Sequence, residues 1–338
     1  MENLLADSFE RLLAQISSPA AVRTVEEGAD PGALWAPIEA SGFLDVLVPE
    51  ERGGAGLGLA DAFPLFMSAG RHALPLPFAH TVLARACLAS AGQDIPEGPI
   101  TLLPSDGLLW EAATFSALVP YGASADWVLT TMEDRSVLLP VAAATREGAT
   151  ARGGIRHLLV WNALPLESII SGPAQADIAA VSAAAHAALI AGAADRVVSM
   201  TLDYAGQRTQ FGKPIGKFQA IQSQLAVMAE RALVARIAAG MACQSSDWIP
   251  QPLLAAVGKG RASEAAAIVA DISHAVHGAI GITEEYDLQL YTRRLREWRL
   301  SGGAETHWDH QVGEALLASD TSALSFLCSD LFPAAREC

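Results

Sequence analysis

Residues 208–222 read Arg208-Thr209-Gln210-Phe211-Gly212-Lys213-Pro214-Ile215-Gly216-Lys217-Phe218-Gln219-Ala220-Ile221-Gln222. This run separates two stretches with helical spacing, because its glycines and its proline prevent a regular helix. It offers one guanidinium and several exposed backbone N–H groups at the start of the next helix, a combination that suits a diphosphate. On spacing alone, a loop between helices with a solvated arginine is the simpler interpretation.

Helical spacing extends outward from this run, from Ala174 to about Phe326, and it also covers residues 1–95. The stretch between them has a different pattern of apolar residues. Short apolar runs separated by turn residues predict strands at 100–103, 115–120, 127–131 and 136–141. The sequence therefore predicts a mainly α protein with a small β domain, divided into helical residues 1–95, β residues 96–173, helical residues 174–330 and a tail, 331–338.

Composition limits the classes of function. The chain has 338 residues, of which 51% are hydrophobic and 17% charged, and its formal net charge is −15. Such a balance excludes a disordered chain. It also argues against nucleic acid as a partner, because phosphate backbones are bound by surplus lysine and arginine.

The sequence also favours a cytoplasmic location. The first residues lack the basic and apolar regions of a signal peptide. The four cysteines form no CxxC pair, which is typical of reduced thiols. Residues 178–194 are apolar but mostly alanine, with Ser182 and His186 among them, so a buried helix is predicted there and no membrane span.

Four segments together resemble the acyl-CoA dehydrogenase family. Residues 208–222 resemble its RxxFGxPIxxFQAIQ signature, residues 48–58 its VPEExGGxGLG turn, residues 70–75 its GRxxLP and residues 277–286 its HGGxGYxxEY. They occur in the family's order. The resemblance implies an N-terminal helical domain, a middle β domain, here shortened, and a C-terminal four-helix bundle that contacts FAD and mediates oligomerisation.

The resemblance also implies which residues bind the cofactor. In this family each FAD lies across a subunit interface, and an arginine arm reaches from one subunit to the flavin of its neighbour. Arg208 and Gln219 are thereby assigned to the FAD diphosphate and adjoining groups, and Phe211 to packing on the cofactor. The adenosine end is approached by a short segment that includes Ala275, His277, Gly278 and Ala279. Ala275 stands where the family usually has glutamine, so one polar contact is lost.

The catalytic base is missing from both of its usual places. The family reaction needs a carboxylate that takes the α proton of an acyl thioester and a flavin that accepts the β hydride. Alignment places Gly302 at one position of the family's glutamate and about Ser182 at the other. The flavin-holding CxTEPxxGSD loop is also absent between residues 96 and 173. Glu305 is the remaining candidate base, although the turn around it more closely matches a segment that touches the adenosine half of the flavin.

These features resemble the shorter, degenerate subunit of bacterial α2β2 acyl-CoA dehydrogenases, such as those of sterol side-chain degradation. The partner would be a full-length homologue that retains the base, the substrate an acyl-CoA, and the electron acceptor an electron-transfer flavoprotein. A self-sufficient homomeric enzyme with Glu305 as base is the first alternative. A scaffold protein without flavin is the second.

A basic run near the C-terminus has two interpretations. Four arginines occur within seven residues, namely Arg293, Arg294, Arg296 and Arg299. They could meet coenzyme A phosphates or an electron-carrying flavoprotein. A solvated or interface face of a helix is the interpretation that we favour from the sequence.

Overall fold

Helices at both ends of the chain enclose a central β region, which confirms the predicted fold class. The structure, a computed structural model, describes residues 2–111, 114–149, 153–163, 170 and 176–328; the predicted tail, 331–338, lies outside them. The helices are α1 (Glu2–Ile16), α2 (Pro19–Glu26), α3 (Gly32–Glu39), α4 (Leu59–Arg71), α5 (Phe78–Ser90), α6 (Ile178–Gln207), α7 (Gln219–Ala242), α8 (Pro252–His277), α9 (Leu288–Leu300), α10 (Glu305–Ala318) and α11 (Ala323–Phe326). The strands are β1 (Ile100–Leu102), β2 (Leu108–Glu111), β3 (Thr114–Pro120), β4 (Trp127–Met132), β5 (Arg135–Pro140), β6 (Thr145–Ala149), β7 (Arg156–Trp161), β8 (Thr209–Gln210) and β9 (Lys213–Pro214).

Helix α6 is the central element. Asp177 caps it by accepting a hydrogen bond from the Ala179 N–H at 2.9 Å. From Ile178 to Ala194 every residue except Ala179 is buried, because small alanine side chains let α4, α7, α8 and α9 all approach this helix. On α7, Met228, Ala232 and Ala235 are buried against this core, and the half-buried Leu225 packs on it.

Two helical stretches, Ile178–Gln207 and Pro252–Ile282, are long and apolar enough to cross a membrane by length and composition. In the first, 89% of the most apolar window is buried inside the fold, and in the second 44%. Core helices pass the same test, so the finding is weak evidence for a span.

The β region forms two sheets with a hydrophobic core of their own. One has the order β1-β4-β5, with β1 parallel to β4, and the other is antiparallel with the order β2-β3-β7-β6. Phe115 on β3 and Trp161 on β7 are cross-strand partners, and their rings stack with centroids 5.1 Å apart. The four predicted strands are found, whereas β2, β6 and β7 were not predicted.

The basic run on α9 links three parts of the fold. Arg294 is fully buried and binds the carboxylates of Glu26 on α2 and Glu297 on α9, and Arg293 also binds Glu26. Glu297 accepts a hydrogen bond from the Ile155 N–H, just before β7, at 2.9 Å. For Arg294 the expectation of a solvated or interface face is therefore wrong: the charge is neutralised inside the chain.

Candidate functional site

Residues 208–218 form a hairpin that projects from the helical bundle. After α6 ends at Gln207, β8 pairs with β9, and Phe211 and Gly212 form the turn with φ values of +52° and +78°. Both residues thus adopt the left-handed conformation that two-residue hairpin turns require, which is unusual for a bulky phenylalanine. The Phe211 side chain is 90% exposed. The chain holds an apolar ring in a strained position that faces away from its own core, a combination typical of binding sites.

The hairpin carries positive charge that no carboxylate of the described residues pairs with. The backbone of Arg208 is fixed at both ends, because its N–H donates to the Tyr204 carbonyl and its own carbonyl accepts from the Ile215 N–H, each at 2.8 Å. Its guanidinium is exposed and forms no ion pair with any described residue. The Lys213 ammonium lies 4.3 Å from the centre of the Phe218 ring, a cation–π contact. These cations suit an anionic group such as a diphosphate.

A cavity of about 350 Å³ lies between the hairpin and the C-terminal end of α8. Five of the seven predicted cofactor residues line it, namely Arg208, Phe211, Ala275, His277 and Gly278. Gln219, the first residue of α7, and Ala279 are exposed and lie outside this lining. The structure thus brings together two segments that are far apart in the sequence.

An aromatic cluster supports this cavity and was missed from the sequence. The rings of Tyr204 and His277 stack with centroids 4.3 Å apart, and Tyr286 approaches both. His277 Nδ1 donates to the Ser273 carbonyl at 2.8 Å, and burial lowers the pKa of this imidazole, so the ring is neutral. Tyr204 lies one helical turn before Arg208, and that spacing on α6 was the available signal.

The two expected positions of the catalytic base lie side by side, and neither holds an acid. A side chain built at Gly302 would begin 3.4 Å from Ser182 Oγ and 3.7 Å from Pro104 Cγ. Ser182 is fully buried, and its Oγ is 3.2 Å from Nδ1 of His186. Asp177, the acid nearest to Ser182 in the sequence, is the N-cap of α6. The two positions that the family resemblance assigns to the base are thus neighbours in the fold.

Glu305 is held by an ion pair. Its Oε2 accepts a hydrogen bond from Arg299 Nε at 2.9 Å, and its Oε1 contacts Arg299 Nη2. The hydrogen bonds from Arg299 lower the pKa of this carboxyl below its usual value. A carboxylate stabilised in its charged form is a weak general base.

A second, larger cleft separates the β region from the bundle. Its volume is about 630 Å³, and it is lined by Pro104, Ser105 and Thr131 on one side and by Ala176, Ala179, His307 and Gln311 on the other. Four carboxylates also line it: Asp106, Glu133, Asp134 and Asp177. No lysine or arginine is among the described residues of this lining. The hairpin cavity therefore fits the diphosphate of FAD, whereas this acidic cleft does not.

Comparisons with known proteins agree on one family. Models of the acyl-CoA dehydrogenase N-terminal and C-terminal domains match residues 1–95 and 175–317. Acyl-CoA dehydrogenase IpdE2 of Mycobacterium tuberculosis is 32% identical over 302 residues, which cover 86% of this chain and 89% of that protein.

Solved structures share the fold over nearly the whole chain. The ChsE4-ChsE5 complex from Mycobacterium tuberculosis has a TM-score of 0.77 at 21% identity, covering 95% of this chain and 98% of the matched one. The Tcur3481-Tcur3483 steroid ACAD has a TM-score of 0.79 at 23% identity, covering 94% and 97%. At these identities the likeness establishes the fold.

Proposed function

We propose a function for this chain within the family to which it belongs, the acyl-CoA dehydrogenases, which are oxidoreductases that act on acyl-CoA with FAD as cofactor. Within that family it acts as the non-catalytic subunit of a heteromeric enzyme. A full-length homologue supplies the base and the flavin ring site, and this chain completes the partner's FAD site. The complex desaturates an acyl-CoA between its α and β carbons and passes electrons to an electron-transfer flavoprotein.

The observation that carries the proposal is the hairpin. Arg208 and Lys213 have no carboxylate partner among the residues that the structure describes, and Phe211 presents a 90% exposed ring in a strained turn. Such groups are stabilised when a ligand from outside the chain covers them. Arg208 and Gln219 then hold the diphosphate and adjoining groups, Phe211 packs on the cofactor, and Ala275, His277, Gly278 and Ala279 face the adenosine end.

The missing base supports an assembly in which a partner subunit supplies the catalytic carboxylate. A side chain built at Gly302 would begin 3.4 Å from Ser182 Oγ, so the two positions that correspond to the family's carboxylate are adjacent, and Ser182 is fully buried. Glu305 is paired with Arg299, which opposes its use as a base. An enzyme that keeps the cofactor arm and lacks a carboxylate at this place requires a partner that has one.

Two structural neighbours support a heteromeric assembly and a steroid substrate. One is described as a complex of ChsE4 with ChsE5, and the other as the Tcur3481-Tcur3483 steroid ACAD. On this ground we propose an α2β2 assembly and a steroid-derived acyl-CoA for this chain.

Replacement of Arg208 by methionine tests the proposed arm. Because methionine keeps the apolar stem and removes the charged fork, we expect Arg208→Met to lower FAD retention by the complex about tenfold or more while leaving its assembly intact. The measurement is bound flavin per complex after gel filtration. Arg11→Met, on an exposed face of α1, is the matched control. Unchanged FAD retention in Arg208→Met would contradict the proposal.

Replacement of Glu305 by glutamine separates the proposal from the homomeric alternative. If the partner supplies the base, Glu305→Gln should keep the turnover number of the complex within about threefold of wild type. If Glu305 is the base, turnover should fall by roughly 10²–10⁴. Glu314→Gln on α10 is the control for a loss of charge on the same helix.

A further inference from the structure

We infer that the carboxylates of Asp106, Glu133, Asp134 and Asp177 exclude an anionic flavin from this chain's own interdomain cleft, and so determine which subunit of the complex carries the cofactor. We call this cleft the acidic cleft. The inference rests on the proposed function and adds a physical cause to it: the cleft rejects the cofactor by charge.

The acidic cleft is where a flavin belonging to this chain would have to lie. The base acts on the α carbon and the flavin on the adjacent β carbon, so the two must be within a few ångströms of the same substrate bond. Pro104 lines the cleft and also lies 3.7 Å from a side chain built at Gly302, the position where a base would stand. The cleft therefore borders the reacting position.

The cleft is open enough to admit a ring system. Its volume of about 630 Å³ is within the range of roughly 300–1,000 Å³ that is common for small-molecule sites. Ser105, which lines it, is exposed. Space is thus available, and the charge of the lining is unfavourable for an anion.

The charge comes from three separate elements. Asp106 belongs to the turn before β2, Glu133 and Asp134 connect β4 to β5, and Asp177 caps α6. The four contribute a formal charge of −4, and none forms an ion pair with another described residue. The nearest cation in sequence, Arg135, lines the adjoining pocket of the β region instead.

The two sites of this chain therefore have opposite electrostatics. The hairpin carries the cations Arg208 and Lys213, and the acidic cleft is lined by four carboxylates. A flavin phosphate carries up to two negative charges at neutral pH. Repulsion among exposed charges is screened over a Debye length of about 10 Å at 0.1 M salt. Charge exclusion is therefore expected to weaken as salt rises, whereas exclusion by shape is not.

The test compares two flavins that share one ring and differ in charge. Riboflavin is neutral and FMN carries a phosphate. Each is titrated, at low and high salt, into the complex of this chain with its catalytic partner, whose own site is filled with FAD. Quenching of flavin fluorescence reports binding. We expect riboflavin to bind about tenfold more tightly than FMN at low salt, and high salt to narrow this difference.

A quadruple variant identifies the residues responsible. Asp106→Asn, Glu133→Gln, Asp134→Asn and Asp177→Asn together remove the charge, and asparagine at 177 keeps a good cap for α6. We expect this variant to bind FMN and riboflavin with affinities within about twofold. The matched control removes four exposed carboxylates outside the cleft, by Asp7→Asn, Glu51→Gln, Asp94→Asn and Asp320→Asn, and should keep the preference for riboflavin.

Three results would overturn the inference: equal binding of the two flavins to the wild-type complex, binding of neither flavin, or a preference that the quadruple variant retains. Each of them leaves the proposed function intact. A native complex that carries two flavins per pair of subunits contradicts the proposed function itself, so the two failures are distinguishable.

Discussion

Two buried histidines at the centre of the molecule face each other without a hydrogen bond between them. His80 Nδ1 accepts from the Leu102 N–H at 3.2 Å, and His186 Nδ1 donates to the Ser182 carbonyl at 2.8 Å. The ring centroids are 4.8 Å apart, and neither Nε2 has a partner in the described part of the chain. Burial lowers the pKa of His80 to about 3 and the pKa of His186 well below its usual value. Both rings are therefore neutral in the folded protein.

Acid should destabilise the protein through this pair. The unfolded chain binds protons on these imidazoles below pH 6.5 and the folded chain does not, so the free energy of unfolding falls as pH drops from about 6.5 toward the folded pKa. We expect a loss of roughly 1 kcal/mol per histidine for the first pH unit below 6.5. Urea unfolding at several pH values measures it.

Replacement of one histidine isolates the effect. His80→Gln removes one titrating ring, so the loss of unfolding free energy over the first pH unit below 6.5 should become smaller by roughly 1 kcal/mol. His310→Gln, whose histidine side chain is 73% exposed, is the control and should keep the wild-type dependence. An unchanged pH dependence in His80→Gln would show that the acid sensitivity arises elsewhere.

At the scale of elements, α4 and α6 approach each other through a pair of glycines. A side chain built at Gly192 on α6 would begin 1.9 Å from the Met67 carbonyl oxygen, and one at Gly70 on α4 would begin 2.0 Å from the Leu189 carbonyl oxygen. The obstacles are backbone atoms, which cannot rotate away. The glycines therefore set the distance between the central helix and the N-terminal helices.

Alanine at Gly192 should force these helices apart. We expect Gly192→Ala to lower the free energy of unfolding by about 2–3 kcal/mol, as overpacked cores do. Gly206→Ala, near the other end of α6, is the matched control: nothing lies within 4 Å of its added methyl group. The control should change stability by less than about 1 kcal/mol. Equal effects of the two changes, measured by urea unfolding, would contradict the close-packing argument.

The sequence predicted elements with a strong period better than it predicted contacts. Helices α1, α4, α6 and α7 follow from apolar spacing and flanking prolines or glycines, and four strands follow from short apolar runs. Strand β6 escaped prediction because its residues, Thr145–Ala149, are polar and carry no alternating pattern. The hairpin β8–β9 escaped because each strand has only two residues.

The site was predictable only in part, for a similar reason. Arg208 and Phe211 could be selected from the sequence because they belong to one continuous motif, and both line the hairpin cavity. Tyr204 was missed because a single tyrosine on a long helix becomes informative only when folding brings it against His277. Arg294 was misread because its counter-ion, Glu26, is supplied by α2 at the other end of the chain.

At the scale of the whole molecule, one buried carboxylate links the N-terminal helices to the bundle and, indirectly, to the β region. The Glu26 side chain is 4% exposed and binds Arg293 and Arg294, and Arg294 also binds Glu297, which accepts the Ile155 N–H. Tyr121 adds a second link, since its hydroxyl accepts from Trp298 Nε1 at 2.9 Å. These contacts hold the three parts of the chain together.

Removal of the charge on Glu26 should destabilise the whole chain. Glu26→Gln leaves the buried Arg294 with one of its two carboxylate partners, Glu297, so we expect the free energy of unfolding to fall by about 3 kcal/mol. Glu27→Gln is the control, because Glu27 is exposed and forms no ion pair with a described residue. A loss in Glu26→Gln as small as in the control would mean that this network contributes little.

The central claim is that this chain completes the flavin site of an unlike partner. The most direct test is the native mass of the tagged, full-length chain isolated from its own cells, together with the number of flavins bound. We expect an α2β2 complex with a larger homologue that retains the catalytic carboxylate, and about one FAD for each pair of subunits. A homotetramer with one FAD per chain would contradict it.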